Sequence, residues 1–296
     1  MYGEAGMTIG KLVLGVVIGV ALLVLVALML TPVSGQANEL TNRTVCMSNL
    51  RSINCAIVLY KSANDGAWPW LYDKMTAWDT TEVGANRDIN PFGTGDDLNN
   101  PKPRSITSLM FMLIRQDQPP GMFRCPSDKN SIVDRDVKAT RDDGDKASGV
   151  LEGDYYWDFS RPENTSYSWQ APIWKDGRFK QGIDSSETDT VVIADMTPRY
   201  EGYEKWTPMA IDDQTSQAQI ERQLSYNHKG KQVNILKVAG NIEAQKRPDV
   251  GIDNDNIYTA SGNLNAGSQS ATSLDIRKHL SPRDTFLIGP VGRKAE

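Results

Sequence analysis

The sequence predicts an α+β protein: a long N-terminal helix packed on an antiparallel β-sheet, with long loops between the elements. Three observations carry this reading. Leu12–Leu30, "LVLGVVIGVALLVLVALML", is an apolar run without a charge. Cys46, Leu50, Ile53, Ile57 and Tyr60 then recur at steps of four and three, which is the spacing of one helical stripe. From Thr165 onward, short apolar or alternating runs separated by turn residues read as antiparallel strands.

The apolar run has the length of about 20 residues that one helix needs to cross a hydrocarbon core of about 30 Å. Being apolar on every face, it fits a buried helix of a soluble protein poorly. A cleaved secretory signal is the competing reading, with "VSGQA" as its nearest cleavage candidate. The expectation is an uncleaved anchor. Lys11 precedes the span, while Glu39 and Arg43 follow it. The expected division is a cytoplasmic stub and transmembrane helix over 1–35 and an extracytoplasmic globular domain over 36–296, in a single-pass protein of the inner (cytoplasmic) membrane. Gly15 and Gly19 form a GxxxG pair, a weak signal for packing against another membrane helix.

After Pro32 and Gly35 a second, amphipathic helical pattern of about 25 residues begins. It stops at "SANDGAWP", where Asn64, Asp65 and Gly66 supply a C-terminal cap and Pro69 forbids continuation. Residues 76–104 read as loop. "SITSLMFMLIRQ" reads as a short apolar helix capped by Ser105, "QPPGMFRCPSDKN" as a turn-rich connector, and 129–153 as a solvated charged loop. Strands are expected over Thr165–Trp174, Asp189–Met196, "KQVNILKV", "NIEAQ" and Asp284–Gly289. Between the third and fourth lies Ala239-Gly240. A type I′ hairpin turn needs φ > 0 at both central residues, which alanine tolerates poorly, so a type II turn or a glycine bulge is expected. Pairing Val238 with Asn241 places Val233, Ile235, Ile242 and Ala244 on one core-facing side.

Composition narrows the function. Asp and Glu number 37 against 32 Lys and Arg, with no basic block, so the footprint of a nucleic-acid binder is missing. Three cysteines suit an exported chain with one disulfide and one leftover thiol. Cys46 and Cys55 fall on opposite faces of a helix and cannot bridge each other. Cys125 therefore pairs with one of them, or all three are free.

Candidate chemistry is sparse. His228, in "YNHKG", reads as a structural histidine bonding to loop backbone, since only His279 is a second imidazole and no zinc-type spacing of His and Cys exists. Asp249, Asp253 and Asp255 in "PDVGIDNDN" read as an Asx-rich turn, with calcium as the alternative, although the Glu and full spacing of a twelve-residue calcium loop are missing. No nucleophile elbow, phosphate loop or dinucleotide fingerprint is found, so no catalytic residue is nominated and no cofactor is expected.

Four strings carry a family resemblance: "CMSNLRSINCAIVLYKSANDGAWP" (Cys46–Pro69), "FRCPSD" (Phe123–Asp128), "NHKGKQVNILKVAGNIE" (Asn227–Glu243) and "DNDNIYT" (Asp253–Thr259). In order and spacing they resemble type IV pilin-like or pseudopilin-like exported proteins abundant in planctomycete-type bacteria. Those proteins begin with a prepilin-type helix and carry a processing-associated signature of His, nine or ten residues, then Asp-Gly. The matching marks here are His228, Gly240, Asp255 and Asn256. The resemblance implies a pilin-like fold and a processing junction at Gly6-Met7, with methylation of Met7. It also implies association with sister subunits or other pilin-like subunits through the N-terminal helix. Two positions depart from the pattern: Lys11 stands at mature position five, where the family has Glu, and Ala239 stands where it has Asp. The expected function is a membrane-anchored, pseudopilin-like structural or assembly protein of the cell surface or secretion apparatus, of the type II secretion kind. The alternative is an anchored extracytoplasmic module binding calcium or polysaccharide, with Trp68, Trp70, Trp157, Trp169 and Trp174 as sugar-stacking candidates.

Overall fold

The computed structural model describes residues 3–69, 83, 87, 105–132, 156–198, 206–260 and 276–290, of which 3–9, 27–36, 178 and 276 by backbone alone. It is a mixed structure of helix and antiparallel sheet with an N-terminal helix. Trp70 and most of the loops expected over 76–104 and 129–153 lie outside the described residues.

Helix α1 runs over Gly3–Ala63 as one assigned element. The two helical patterns expected on either side of Pro32 and Gly35 are therefore joined. A proline inside a helix removes one backbone bond and costs about 3 kcal/mol, which a long cooperative helix can absorb. By contacts the chain forms two compact units, Met1–Thr44 and Val45–Glu296. The break falls later than the boundary expected at 35/36.

In the first unit the apolar side chains from Leu12 to Val26 stand at 50–71% exposure. A Cβ added at Gly15 or Gly19 meets nothing within 4 Å. Among the described residues no helix is long and apolar enough to cross a membrane. The described side chains cover the apolar run only up to Val26, and Ala27–Leu30 fall outside them. Glu39 and Arg43 form an i,i+4 ion pair at 3.2 Å.

In the second unit the remainder of α1 buries its stripe: Cys46, Leu50 and Ile53 are fully enclosed, with Ala56, Ile57 and Tyr60 beside them. The stop is as expected. The Gly66 N–H donates to Lys61 O at 2.8 Å, and Asp65 and Gly66 take φ of 51° and 80°. Helix α2 spans Thr107–Ile114 and is buried almost all round. Its N-cap is Ile106, not Ser105. The buried Ser105 hydroxyl instead donates to the Asp158 carboxylate, which also takes the Thr107 hydroxyl at 2.6 Å. A buried carboxylate attracts a hydroxyl more strongly than a neutral backbone group does.

The strands are β1 (Tyr167–Gln170), β2 (Ile173–Lys175), β3 (Arg178–Lys180), β4 (Val191–Asp195), β5 (Val233–Lys237), β6 (Ile242–Gln245) and β7 (Leu287–Ile288). Five form an antiparallel sheet in the order β6-β5-β4-β1-β7, and β2 pairs with β3 alone. The single strand expected over Thr165–Trp174 divides at Pro172, which has no N–H for a ladder. Strand β3 is the addition. Asp176 and Gly177, with φ of 54° and 73°, make the two-residue turn that a "DG" between strands favours.

The β5–β6 register differs from expectation. Leu236 pairs with Ile242 and Asn234 with Ala244, so Val233 and Ile235 face the opposite side together with Gln245 and Glu243. The cause is a three-residue loop. Gly240 N–H donates to Lys237 O at 2.8 Å, Lys237 N–H donates to Asn241 O at 2.9 Å, and Gly240 takes φ 87°. That is a glycine bulge, one of the two turn forms expected, and the extra residue shifts every pair by one. Ala239 is exposed at its tip.

Both sheet faces are covered. Trp169, Ile193, Leu236 and Ile288 share one buried cluster with Cys46, Leu50, Ile53 and the α2 side chains. Ala194, Val233, Ile235, Tyr258 and Leu287 form a second cluster on the other face. The first face ends in polar groups, since Tyr167 pairs with Asp195 and Asn234 lies on the same side.

Candidate functional site

At that polar end, side chains from four parts of the chain meet. Cys46 of α1 and Cys125 of the connector form a disulfide with Cα atoms 5.2 Å apart. Cys55 is exposed and free. The geometry thus selects Cys46 from the two partners open to Cys125. His228, fully buried, brings Nε2 to 3.7 Å from Cys125 Sγ and 3.5 Å from Asp195 Oδ2.

Local sequence explains how each member arrives. Tyr226–His228 is a single 3₁₀ turn, started by Ser225, whose hydroxyl accepts the Asn227 N–H at 3.2 Å. Lys229 and Gly230 close it with φ of 58° and 67°. A Cβ at Gly230 would lie 2.7 Å from Glu221 O, so the "HKG" string needs its glycine on both counts. This turn feeds β5 and points the imidazole inward. Cys125 is set by the Cys-Pro-Ser-Asp turn, in which Asp128 N–H donates to Cys125 O at 3.0 Å and Asp128 Oδ2 accepts the Ser166 hydroxyl at 2.6 Å. On its other side Asn49 of α1 donates to Arg124 O at 2.6 Å.

Asn234 connects the remaining members. Its backbone N–H donates to Asp195 Oδ2 at 2.7 Å, and its amide nitrogen donates to His228 Nε2 at 2.9 Å. Gln232 donates to Asn234 Oδ1 at 3.1 Å, which leaves the amide nitrogen facing the ring. Asp195 Oδ1 and Asn227 Oδ1 are buried without a hydrogen-bond partner. Burial pushes the Asp195 carboxyl above its ordinary range, offset in part by His228 and the Asn234 N–H. Burial, then the charge of Asp195, holds the Tyr167 hydroxyl well above its own range.

Chemically this is a covalent tie set in a polar, water-excluded pocket. Asp195 and Cys125 approach the same ring nitrogen, so the three do not line up as a nucleophile, base and orienting acid, in which the acid holds the far nitrogen. Among the described residues, Cys46, Cys125 and His228 form a cluster of metal-capable side chains, their ligand atoms all within 4.8 Å of one another. The expectation that His228 lacks such neighbours is thus corrected. The partners were invisible because they stand far apart in sequence. A signal did exist: Asp195 closes the apolar run "VVIAD", and Asn234 interrupts "QVNILK".

The other candidates take separate places. His279 is also buried, its ring nitrogens 3.0 Å from Pro172 O and 2.8 Å from Asp284 O. Asp249 is bound to Arg247 at 2.7 Å. The buried Asp255 accepts Thr285 N–H at 2.8 Å, while Asp253 is exposed near Arg283. These three carboxylates do not converge on one point. Asn256 Oδ1 accepts Tyr258 N–H at 3.1 Å, and the Tyr258 hydroxyl donates to Asp195 O at 3.0 Å, so the "DNIYT" string buttresses the site from the sheet's other face. Gly240 abuts Asn54 of α1. Trp68 and Trp169 are buried, Trp157 is half-buried under the Arg115 guanidinium, and Trp174 is half-buried against Phe179. Trp157 and Trp174 thus keep part of their surface open, and the other two do not. Gly6 and Met7 lie in the backbone of α1, outside the described side chains.

Comparison with known proteins finds no match: no protein-family model, no curated protein and no solved structure is significantly similar to the chain.

Proposed function

We propose that the chain is a membrane-anchored, pseudopilin-like structural or assembly subunit of the cell surface or secretion apparatus, without catalytic activity. Its N-terminal helix holds it in the inner membrane and meets sister or related subunits there, and its C-terminal domain stands outside. The observation that carries this reading is the division of labour within α1. Up to Val26 its apolar side chains are turned outward on every side, whereas from Cys46 to Tyr60 its stripe lies in the core of the head. Exposed apolar surface on that scale needs a lipid or protein partner. Gly15 and Gly19, open on the helix surface, suit close approach of another helix. The four strings of the pilin-like resemblance support the same reading, since they supply the disulfide, the buried histidine and the turn that buttresses them.

The test is the intact mass and N-terminal sequence of the protein taken from its native membrane. A chain starting at methylated Met7 is the expected product of pilin-type processing. An intact Met1 would keep the anchor and sink pilin-type assembly. A start near Gln36, with protein in the soluble fraction, would overturn the reading altogether.

A further inference from the structure

We propose that the open, dithiol form of the chain binds one thiophilic divalent cation of the zinc class, with Cys46, Cys125 and His228 as ligands. The three ligand atoms, two of them the disulfide sulfurs, already lie within 4.8 Å of one another on fully buried side chains. Zinc bonds of about 2.3 Å to sulfur and about 2.0–2.1 Å to nitrogen, at a tetrahedral angle, place those two ligand atoms about 3.6 Å apart. Cys125 Sγ and His228 Nε2 stand at 3.7 Å. The Cα atoms of the cysteines are 5.2 Å apart, so side-chain rotation suffices to part the sulfurs.

Asp195 stands beside the imidazole: its carboxylate is fully buried, with one oxygen 3.5 Å from His228 Nε2. A cation held at the imidazole offsets the cost of a buried carboxylate next to it. The ligands come from α1, the connector and the turn before β5, so the ion would tie together the parts that the disulfide joins. In the closed form the Asn234 amide nitrogen lies 2.9 Å from Nε2, a contact that the ion displaces. The chemistry balances as follows. A trialkylphosphine supplies two electrons to the S–S bond and becomes the phosphine oxide with oxygen from water, leaving two thiols. Binding the divalent ion then releases two protons.

The test uses the full chain in detergent micelles with Cys55→Ser, which leaves Cys46 and Cys125 as the only thiols. After anaerobic reduction and removal of phosphine, the protein is titrated with Co²⁺. Saturation at one equivalent is expected, with thiolate-to-cobalt charge-transfer and intense tetrahedral visible bands that Zn²⁺ abolishes. The oxidised chain should give none. His228→Asn should weaken binding by more than the roughly 10–100-fold that loss of an outer-shell partner costs. No thiolate–cobalt band, or undiminished binding by His228→Asn, would overturn the proposal. So would a reduced chain whose near-ultraviolet dichroism is lost and not restored by the ion. Zinc-edge X-ray absorption of the loaded chain reads the ligands without any His228 variant: two sulfurs and at least one nitrogen are expected, and any other sulfur count would refute the site.

Discussion

Gly230 controls where His228 points, although it touches none of the buried partners. Its φ of 67° is one that side chains avoid, and a methyl group there would stand 2.7 Å from a backbone oxygen. Gly230→Ala should therefore destabilise the fold by about 1–3 kcal/mol, read as a lowered denaturant midpoint. An unchanged midpoint would mean that the turn is not the source of the orientation. Asp195 yields a pH prediction. Its folded-state pKa is raised by burial above the unfolded value of about 3.9. Below that value the carboxyl is protonated in both states and favours neither. As pH rises from that value to the folded one, the unfolded chain gives up its proton first and stability falls, until the folded protein too carries the buried charge. Asp195→Asn should remove that slope, so the melting temperature of the variant minus that of the wild type should grow as pH is raised above about 4. A difference constant across that window would exclude Asp195 as its origin.

Elements divide into those legible in sequence and those set by distant partners. The α1 stripe was legible because a 3.6-residue period survives in the residue types themselves, and all of Cys46, Leu50, Ile53, Ile57 and Tyr60 are buried. Leu50→Ala should cost about 2–5 kcal/mol by opening a cavity, whereas Val58→Ala on the exposed face should stay within about 0.5 kcal/mol. Equal losses in paired chemical melts would contradict the placement of the stripe. Strands β4 and β5 were legible from β-branched runs. The β5–β6 register was not, since one bulge residue inverts the faces and the sequence offers two turns compatible with Ala239-Gly240. The cap of α2 failed for a related reason: Ser105 serves Asp158, far away in sequence, in preference to its own helix. The buried site was the least legible part. His228 and Cys125 are separated by 103 positions and the two cysteines by 79, so no local spacing announces them.

For the whole molecule, the disulfide is the largest single term that can be switched. Closing a loop of 79 residues limits the unfolded chain by about 4–5 kcal/mol in the chain-entropy treatment. That is a large share of the ~5–15 kcal/mol by which domains are stable. Reduction, or Cys46→Ser with Cys125→Ser, should thus bring the head close to its unfolding threshold in the absence of metal. Cys55→Ser should leave the melting curve in place, because that thiol is exposed and unbonded. A stable, unshifted melt after full reduction would show that packing alone holds the second unit.

The position of Cys46 has a mechanical consequence. It is the second residue of the unit that begins at Val45, ahead of Leu50, Ile53 and Ile57 along the helix. A tug transmitted along α1 from Thr44 therefore reaches a covalent anchor point before it reaches any noncovalent contact of the stripe. With the cystine closed, the load passes into the connector at Cys125, and the helix cannot be peeled from the head one turn at a time. With it open, the same tug meets the stripe residue by residue. Rupture force in single-molecule stretching should depend on redox state more steeply than the equilibrium stability does.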